Sequence, residues 1–160
     1  MTSFHQLLMQ PTWRAQELER AKEELNERAG SSQGMVASYS GMGGLGGGGG
    51  AKDSALVATV ALVDAVEQAR SRLFDAEHIL HGFLLQLAPV DERSALLLKY
   101  RYLYRLEWAQ VRECMARKGY RAKTERTIFN WHKAARLRGG DLWKEHQERA
   151  ENDRTGTQDN

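Results

Sequence analysis

Between Leu62 and Leu87, apolar residues recur at alternating spacings of three and four: Leu62, Val66, Ala69, Leu73, Ala76, Leu80, Phe83 and Leu87. An α-helix gathers such residues into one stripe, and a stripe sustained over several heptads needs apolar surface from another helix along its length. This chain is therefore committed to helix-on-helix packing. The spacing predicts one long helix, capped by Asp53 and running to about Ala88, roughly 50 Å at ~1.5 Å per residue. Val60, Val63, Phe74, Ile79 and Leu84 lie outside the seam and widen the apolar surface. A single short partner helix does not cover it, so contact with the C-terminal part of the chain, or a homo-oligomer through residues 53–88, is expected.

The local partner is the preceding helix. Pro11-Thr12-Trp13 reads as its start, with the Thr12 hydroxyl free to cap exposed N–H groups, and it extends to Ala29. Leu18, Ala21 and Leu25 form a narrow stripe at i, i+3 and i+7 on an otherwise charged surface. Residues 30–50 hold 10 glycines, ending in the run Gly46 to Gly50. That composition predicts a flexible loop, because ordering glycine costs the most backbone entropy. Gly44, Gly46 and Gly49 satisfy the spacing of a dinucleotide fingerprint only as any polyglycine does, and no strand precedes them. Lys52 follows Ala51, so a phosphate-cradling Walker loop is excluded as well. Residues 1–89 thus read as a helical hairpin or oligomerisation arm.

Charge divides the chain. Its net formal charge is +2, yet residues 90–140 carry 13 Lys and Arg against 5 Asp and Glu. Residues 1–89 carry 7 against 10, and residues 141–160 carry 3 against 6. A basic block between mildly acidic segments is the electrostatic footprint of a polyanion binder. The lone Cys114 excludes an internal disulfide and any multi-cysteine zinc site, and fits a reducing, cytoplasmic setting. No signal peptide is evident. The longest nearly apolar run, Ala55 to Val63, falls far short of the ~18 residues that span a bilayer, so no membrane partner is expected.

Three helical segments fit the basic block. Asp91 caps the first, with Leu96, Leu97, Tyr100, Leu103 and Tyr104 on its apolar face and Arg93, Lys99, Arg101 and Arg105 left for solvent. The second runs from about Glu107 to Arg117, turns Trp108, Val111 and Met115 inward, and ends at Gly119. Thr124 caps the third, which buries Ile128, Trp131 and Ala135 and stops at Gly139-Gly140. On its opposite face Arg126, Asn130 and Lys133 stand at i, i+4 and i+7, with Phe129 alongside and Glu125 in the first turn. Arginine can donate two bonds to guanine, asparagine can pair with the edge of adenine, and lysine suits phosphate. A helix bearing such a face fits the major groove of double-stranded DNA. Arg121, Lys123, Thr124, Thr127 and Arg136 are the expected phosphate contacts. Residues 90–140 therefore read as a DNA-binding domain, and residues 141–160 as a short helix (Leu142 to Arg149) with a disordered tail.

The stretch from Leu96 to Tyr102, then Trp108-Ala109-Gln110-Val111, Gly119-Tyr120, and Thr127 to Ala135 resembles the phage ArpU/RinA-type transcriptional regulators. Their C-terminal part is similar to the promoter-binding fourth region of bacterial sigma factors. The resemblance implies an all-α fold in which a helical hairpin precedes a three-helix, sigma-region-4-like helix-turn-helix. It implies a phage or prophage late-gene activator that binds DNA near a promoter and engages RNA polymerase. Two features depart from the family pattern. Arg121-Ala122-Lys123 lengthen the turn before the capping Thr124, and Arg112 replaces a small residue on the second helix. A charged side chain at a close helix contact is costly, which predicts that this helix is rotated or displaced.

Two other readings compete. A small terminase subunit is also a phage DNA binder, but it places its DNA-binding helices before the oligomerising ones. A coiled-coil interaction protein accounts for the seam but not for the Arg126/Asn130/Lys133 face. The sequence points away from an enzyme: no paired-carboxylate pocket or nucleophile–base arrangement can be placed, and no cofactor is expected. His78 and His81 sit at i, i+3 without a third ligand, so no metal is expected either. Cys114 reads as packing, and His132 as a packing residue or a phosphate contact.

Overall fold

The computed structural model describes the backbone of residues 2–39 and 49–155, and the side chains of residues 2–31 and 54–153. As the periodicities require, the fold is all-α, and no strand occurs among the described residues. The helices are α1 (Phe4–Tyr39), α2 (Gly49–Leu87), α3 (Glu92–Leu98), α4 (Trp108–Arg117) and α5 (Glu125–Thr155). A π-helical turn, Lys99–Leu103, joins α3 to α4. The chain divides into two compact units. One is Trp13–Phe74, and the other joins the residues up to Thr12 with those from Asp75 onward. This division differs from the boundaries at 89 and 140 drawn from composition.

In the Trp13–Phe74 unit, Leu18 of α1 packs on Val66 and Ala69 of α2, flanked by Ala21, Leu25 and Leu73. The apolar stripe of α1 thus meets the α2 seam. Glu17 ties the two helices at the rim, accepting hydrogen bonds from Arg14 and from Arg72.

The second unit holds the larger core: Leu7, Leu8, Leu80, Phe83, Leu84, Leu87, Ala95, Leu98, Tyr102 and Ala135. Leu84, placed outside the seam by sequence, belongs to this core. Beside it, Leu97, Val111 and Met115 form a smaller core with Trp108, Tyr120 and Trp131 against it. Asp91 caps α3 as expected, its carboxylate accepting from the Ser94 N–H at 3.1 Å and the Ser94 hydroxyl at 2.7 Å. Arg138 donates to the same carboxylate at 3.2 Å. Partial burial acts to raise the Asp91 pKa, but these hydrogen bonds outweigh it and hold the carboxyl below its ordinary value.

Several expected helix boundaries are corrected. α1 begins at Phe4 rather than at Pro11-Thr12-Trp13. Its cap is a reciprocal Ser3–Gln6 pair, with Gln6 N–H donating to Ser3 Oγ and Ser3 N–H to Gln6 Oε1. Pro11 lies inside the helix and is fully buried. The Gly-rich stretch expected to loop over 30–50 is helical through Tyr39 and again from Gly49. Most of its glycines fall at 41–50, so residues 30–39 carry only two and can stay helical at about 1 kcal/mol each. The remainder of that expected loop, 40–48, lies outside the described residues, as does 156–160 of the expected disordered tail. α2 therefore starts four residues before Asp53, which is not its cap.

Gly139-Gly140 do not stop α5. The helix continues to Thr155, because packing there outweighs the low helix propensity of glycine. A Cβ on Gly139 would lie 2.5 Å from Cζ of Phe4, so the glycine lets that ring lie against the helix. One turn on, Trp143 meets Phe83 edge-on, with ring centroids 5.5 Å apart. Its indole N–H donates to the Thr2 carbonyl at 2.9 Å. The start of α1 is thus clasped to the middle of α5, around Gly139 and Trp143.

Because Leu8 is fully buried in this core, Leu8→Ala is expected to cost about 2–5 kcal/mol, read as a lower urea midpoint with unchanged slope. A cost under about 0.5 kcal/mol would place the start of α1 outside the core.

Candidate nucleic-acid interface

The candidate surface is built on α4, the 118–124 connection and the first turns of α5. α4 starts with a capping box, in which Glu107 N–H donates to Gln110 Oε1 at 3.0 Å. It ends in a Schellman motif: Gly119 N–H donates to Ala116 O and Tyr120 N–H to Met115 O, each at 3.0 Å. Gly119 has φ +92°, a conformation that only glycine adopts without strain. Tyr120 packs toward Met115 and donates its hydroxyl to Glu92 at 3.1 Å. The lengthened turn is thereby anchored at its start to α3. Thr124 opens α5, accepting from Thr127 N–H at 3.3 Å, and the two threonine hydroxyls are 3.0 Å apart.

Val111, Met115, Ile128 and Ala135 are buried, and Trp108 and Trp131 half-buried, so both helices present the faces expected. Glu125, Arg126, Phe129, Asn130 and Lys133 are all exposed on α5. Phe129 is not isolated: its ring meets Trp108 edge-on at 5.1 Å. Arg121, Lys123, Thr124 and Arg136 are exposed, and Thr127 is half-buried. Arg112 is exposed, so it costs no desolvation at the helix contact. It lines a small cleft with Trp108, Ala109, Glu125, Ile128 and Phe129.

The cations of residues 90–140 fall into two sets. One set has partners within the protein: Arg93, Lys99 and Arg101 are half-buried against aromatic rings, and Arg105, exposed as expected, is nonetheless paired. Arg93 lies over Trp131 and Lys99 over Tyr104. Arg101 lies over Trp108 and donates to the Leu106 carbonyl at 2.7 Å. Arg105 pairs with Glu77, Arg117 with Glu113 and Arg138 with Asp91. Arg136 approaches His5 Nδ1 at 3.5 Å. Among the described residues, Arg112, Lys118, Arg121, Lys123, Arg126 and Lys133 have no side-chain hydrogen bond or ion pair. These free cations all sit on α4, the connection, or the first turns of α5. Sequence reasoning missed Arg112 and Lys118 because neither stands on the recognition-type face. It also missed His5, which lines an open groove with Phe4, His132, Lys133, Arg136 and Leu137.

His132 anchors the inner side of this surface. Its Nε2 is 2.8 Å from the Tyr102 hydroxyl, its ring stacks on Tyr102, and Trp108 meets it edge-on at 4.9 Å. Burial, then the nearby Arg136 and Arg101, lower its pKa from 6.5 to about 4. At neutral pH the ring is therefore an uncharged packing group and adds nothing to the positive field. Burial likewise raises the Tyr102 pKa.

Comparison with protein-family models, with curated proteins and with solved structures gives no match to this chain. Among the described residues, no group of three or more His, Cys, Asp or Glu could hold a metal ion. No described helix is long and apolar enough to cross a membrane.

A histidine held neutral in the fold makes stability depend on pH in one direction. Between pH 6.5 and about 4 the unfolded chain binds the proton and the folded chain does not. The contribution is complete above pH 6.5 and is lost as the pH falls through that window. Discounted for solvent screening, the loss should reach about 1–2 kcal/mol. His132→Gln should remove that slope while retaining a polar group for Tyr102, as read by urea midpoints at pH 7, 5.5 and 4. Parallel profiles for the two proteins would contradict the half-buried, neutral ring.

Proposed function

We propose that this chain is a sequence-specific, double-stranded DNA-binding regulator of transcription that reads the major groove with the first turns of α5. The observation that supports it most is the division of the cations. Six of them are left without intramolecular partners, clustered around one helix pair, while their neighbours are used within the fold. Unpaired exposed cations are available to phosphate at once, whereas a paired one must first give up its partner, at a modest cost for an exposed pair such as Arg136 with His5. In this reading Arg126, Asn130 and Phe129 face bases, with Glu125 beside them. Lys133, Arg121, Lys123 and Arg136 hold the backbone, joined by Arg112 and Lys118. The Thr124 and Thr127 hydroxyls, which bond each other, serve first to open α5 and position that face.

The family resemblance of the sequence suggests the setting: a phage or prophage late-gene activator acting near a promoter with RNA polymerase. No chemistry of its own is required of it. Recruitment needs only a surface that holds the DNA and another that holds the polymerase.

Neutralising about six phosphates should make duplex affinity fall roughly a thousandfold between 50 and 200 mM salt. Arg126→Ala with Lys133→Ala should weaken binding about 100-fold and reduce the salt slope by about one to two, with the fold intact because both residues are exposed. Fluorescence anisotropy with a labelled duplex reads both quantities. The site itself is found by pulling fragmented source-genome DNA from excess non-specific competitor and sequencing it. Salt-independent binding, or affinity untouched by the double substitution, would remove α5 as the interface. Enrichment at a packaging origin instead of a promoter would favour a terminase-type adaptor.

A further inference from the structure

The start of α1 and one face of α5 enclose a basic groove that no carboxylate lines. It is open and holds about 390 Å³, with Phe4 and His5 on one side and His132, Lys133, Arg136 and Leu137 on the other. Both walls belong to the second unit. Lys133 has no ion pair among the described residues. Arg136 approaches a basic ring, His5 Nδ1, at 3.5 Å, whereas Arg138 nearby has found Asp91. Basic groups gathered without a counter-charge gain little from one another, and the arrangement becomes favourable when an anion enters between them.

The α1 wall is fastened at its base. Phe4 lies against Gly139, and the Thr2 carbonyl accepts from Trp143 Nε1 at 2.9 Å and from Gln147 Nε2 at 2.8 Å. His5 is thus held beside α5. Its tautomer follows from its neighbour: a guanidinium has donors only, so the Nδ1 it approaches accepts, and Nε2 carries the hydrogen. Arg136 keeps further N–H groups besides the one aimed at His5. Three separate donor groups suit a tetrahedral oxyanion. Phe4 and Leu137 add apolar surface to the same groove, against which a sugar can lie. A phosphodiester with its flanking sugar matches both.

Position along α5 says where such a group comes from. Phe129, Lys133 and Arg136 stand at i, i+4 and i+7, on one helix face. Arg136 lies two turns beyond Phe129, roughly 10 Å along the axis. The major groove is about 12 Å wide. A helix that meets base edges with residues 126–130 therefore carries Lys133 and Arg136 to the rim, where the phosphates run. His5 stands beside Arg136 at that rim.

We infer that this groove takes a phosphodiester of the duplex backbone, and that His5 binds it together with Lys133 and Arg136. The inference rests on the DNA reading of α5 and extends the interface to a helix outside the basic block of the sequence.

Backbone contacts do not depend on base sequence, so a labelled mixed-sequence duplex of about 30 base pairs is a sufficient probe. Fluorescence anisotropy should show His5→Glu weakening binding roughly tenfold. His5→Arg should tighten it roughly threefold and steepen the salt slope by about one. Gln86→Glu, the same change in formal charge at an exposed α2 position outside the groove, should alter affinity by less than about twofold. His5 is exposed, so the urea midpoint should hold in each His5 variant. Affinity indifferent to both His5 variants, or a loss in Gln86→Glu equal to that in His5→Glu, would overturn the inference. If Arg126→Ala with Lys133→Ala still weakens binding in that case, the DNA reading stands without it. A wild-type chain that binds no duplex would sink both. A free phosphate ion as the occupant would show as millimolar inorganic phosphate, at constant ionic strength, shifting the His5 ring resonances and cancelling the differences between the His5 variants. That result would overturn the assignment to the backbone.

Discussion

The second unit turns on α3, a helix of seven residues with apolar side chains committed to two cores at once. Leu98 points into the core built by α1, α2 and α5, and Leu97 points into the core under α4. Both are fully buried. A helix this short is marginal by itself, because nucleation costs more than so few hydrogen bonds return. Its stability comes from burial on both sides and from the Asp91 cap. The π-helical turn after it brings Tyr102 to the first core and Arg101 to Trp108. From there the position of α4, and with it the surface shared with α5, is passed on by packing.

The arginines and lysines follow the same logic. A cation whose stem lies along a core edge finds an aromatic face or a carboxylate within reach, and there it contributes modestly to stability. Arg93 over Trp131 and Arg105 on Glu77 are of this kind. Arg126 and Lys133, exposed on the first turns of α5, have no such partner. The positive charge left over is therefore what the packing could not use, concentrated where α4 and α5 meet solvent. His132 shows the opposite limit: enclosed by Tyr102, Trp108 and two arginines, with no carboxylate to pair its charge, it stays neutral and bonds the Tyr102 hydroxyl.

Local rules were overridden where the first turns of α1 and the middle of α5 are packed. A proline inside a helix costs about 3 kcal/mol and a glycine about 1. Pro11, Gly139 and Gly140 therefore read as boundaries, yet all three lie in continuous helix. Burying Leu7 and Leu8 contributes about 1.5–3 kcal/mol each, enough to offset the proline. The glycines admit Phe4, whose ring then joins Phe83 and Trp143. One signal of the true start was present in the sequence: Ser3 and Gln6 have the spacing of a capping box.

What the sequence determined by itself is whatever depends on near neighbours along the helix. The 3.6-residue period made the α2 seam legible, along with the inward faces of α4 and α5, the Asp91 and Thr124 caps and the turn at Gly119. The same period put Arg126, Asn130 and Lys133 on one exposed face. Tertiary structure alone decided which helices run on through proline and glycine and which cations are used internally. It also decided that His132 is half-buried against Tyr102 and Trp108 and that Leu84 joins the core. Each of these depends on groups far apart in the chain, as Phe4 on Gly139 or Arg105 on Glu77, and no local period encodes that meeting. Packing energy, summed over such distant pairs, outweighs the one to three kcal/mol by which a single residue prefers its local conformation.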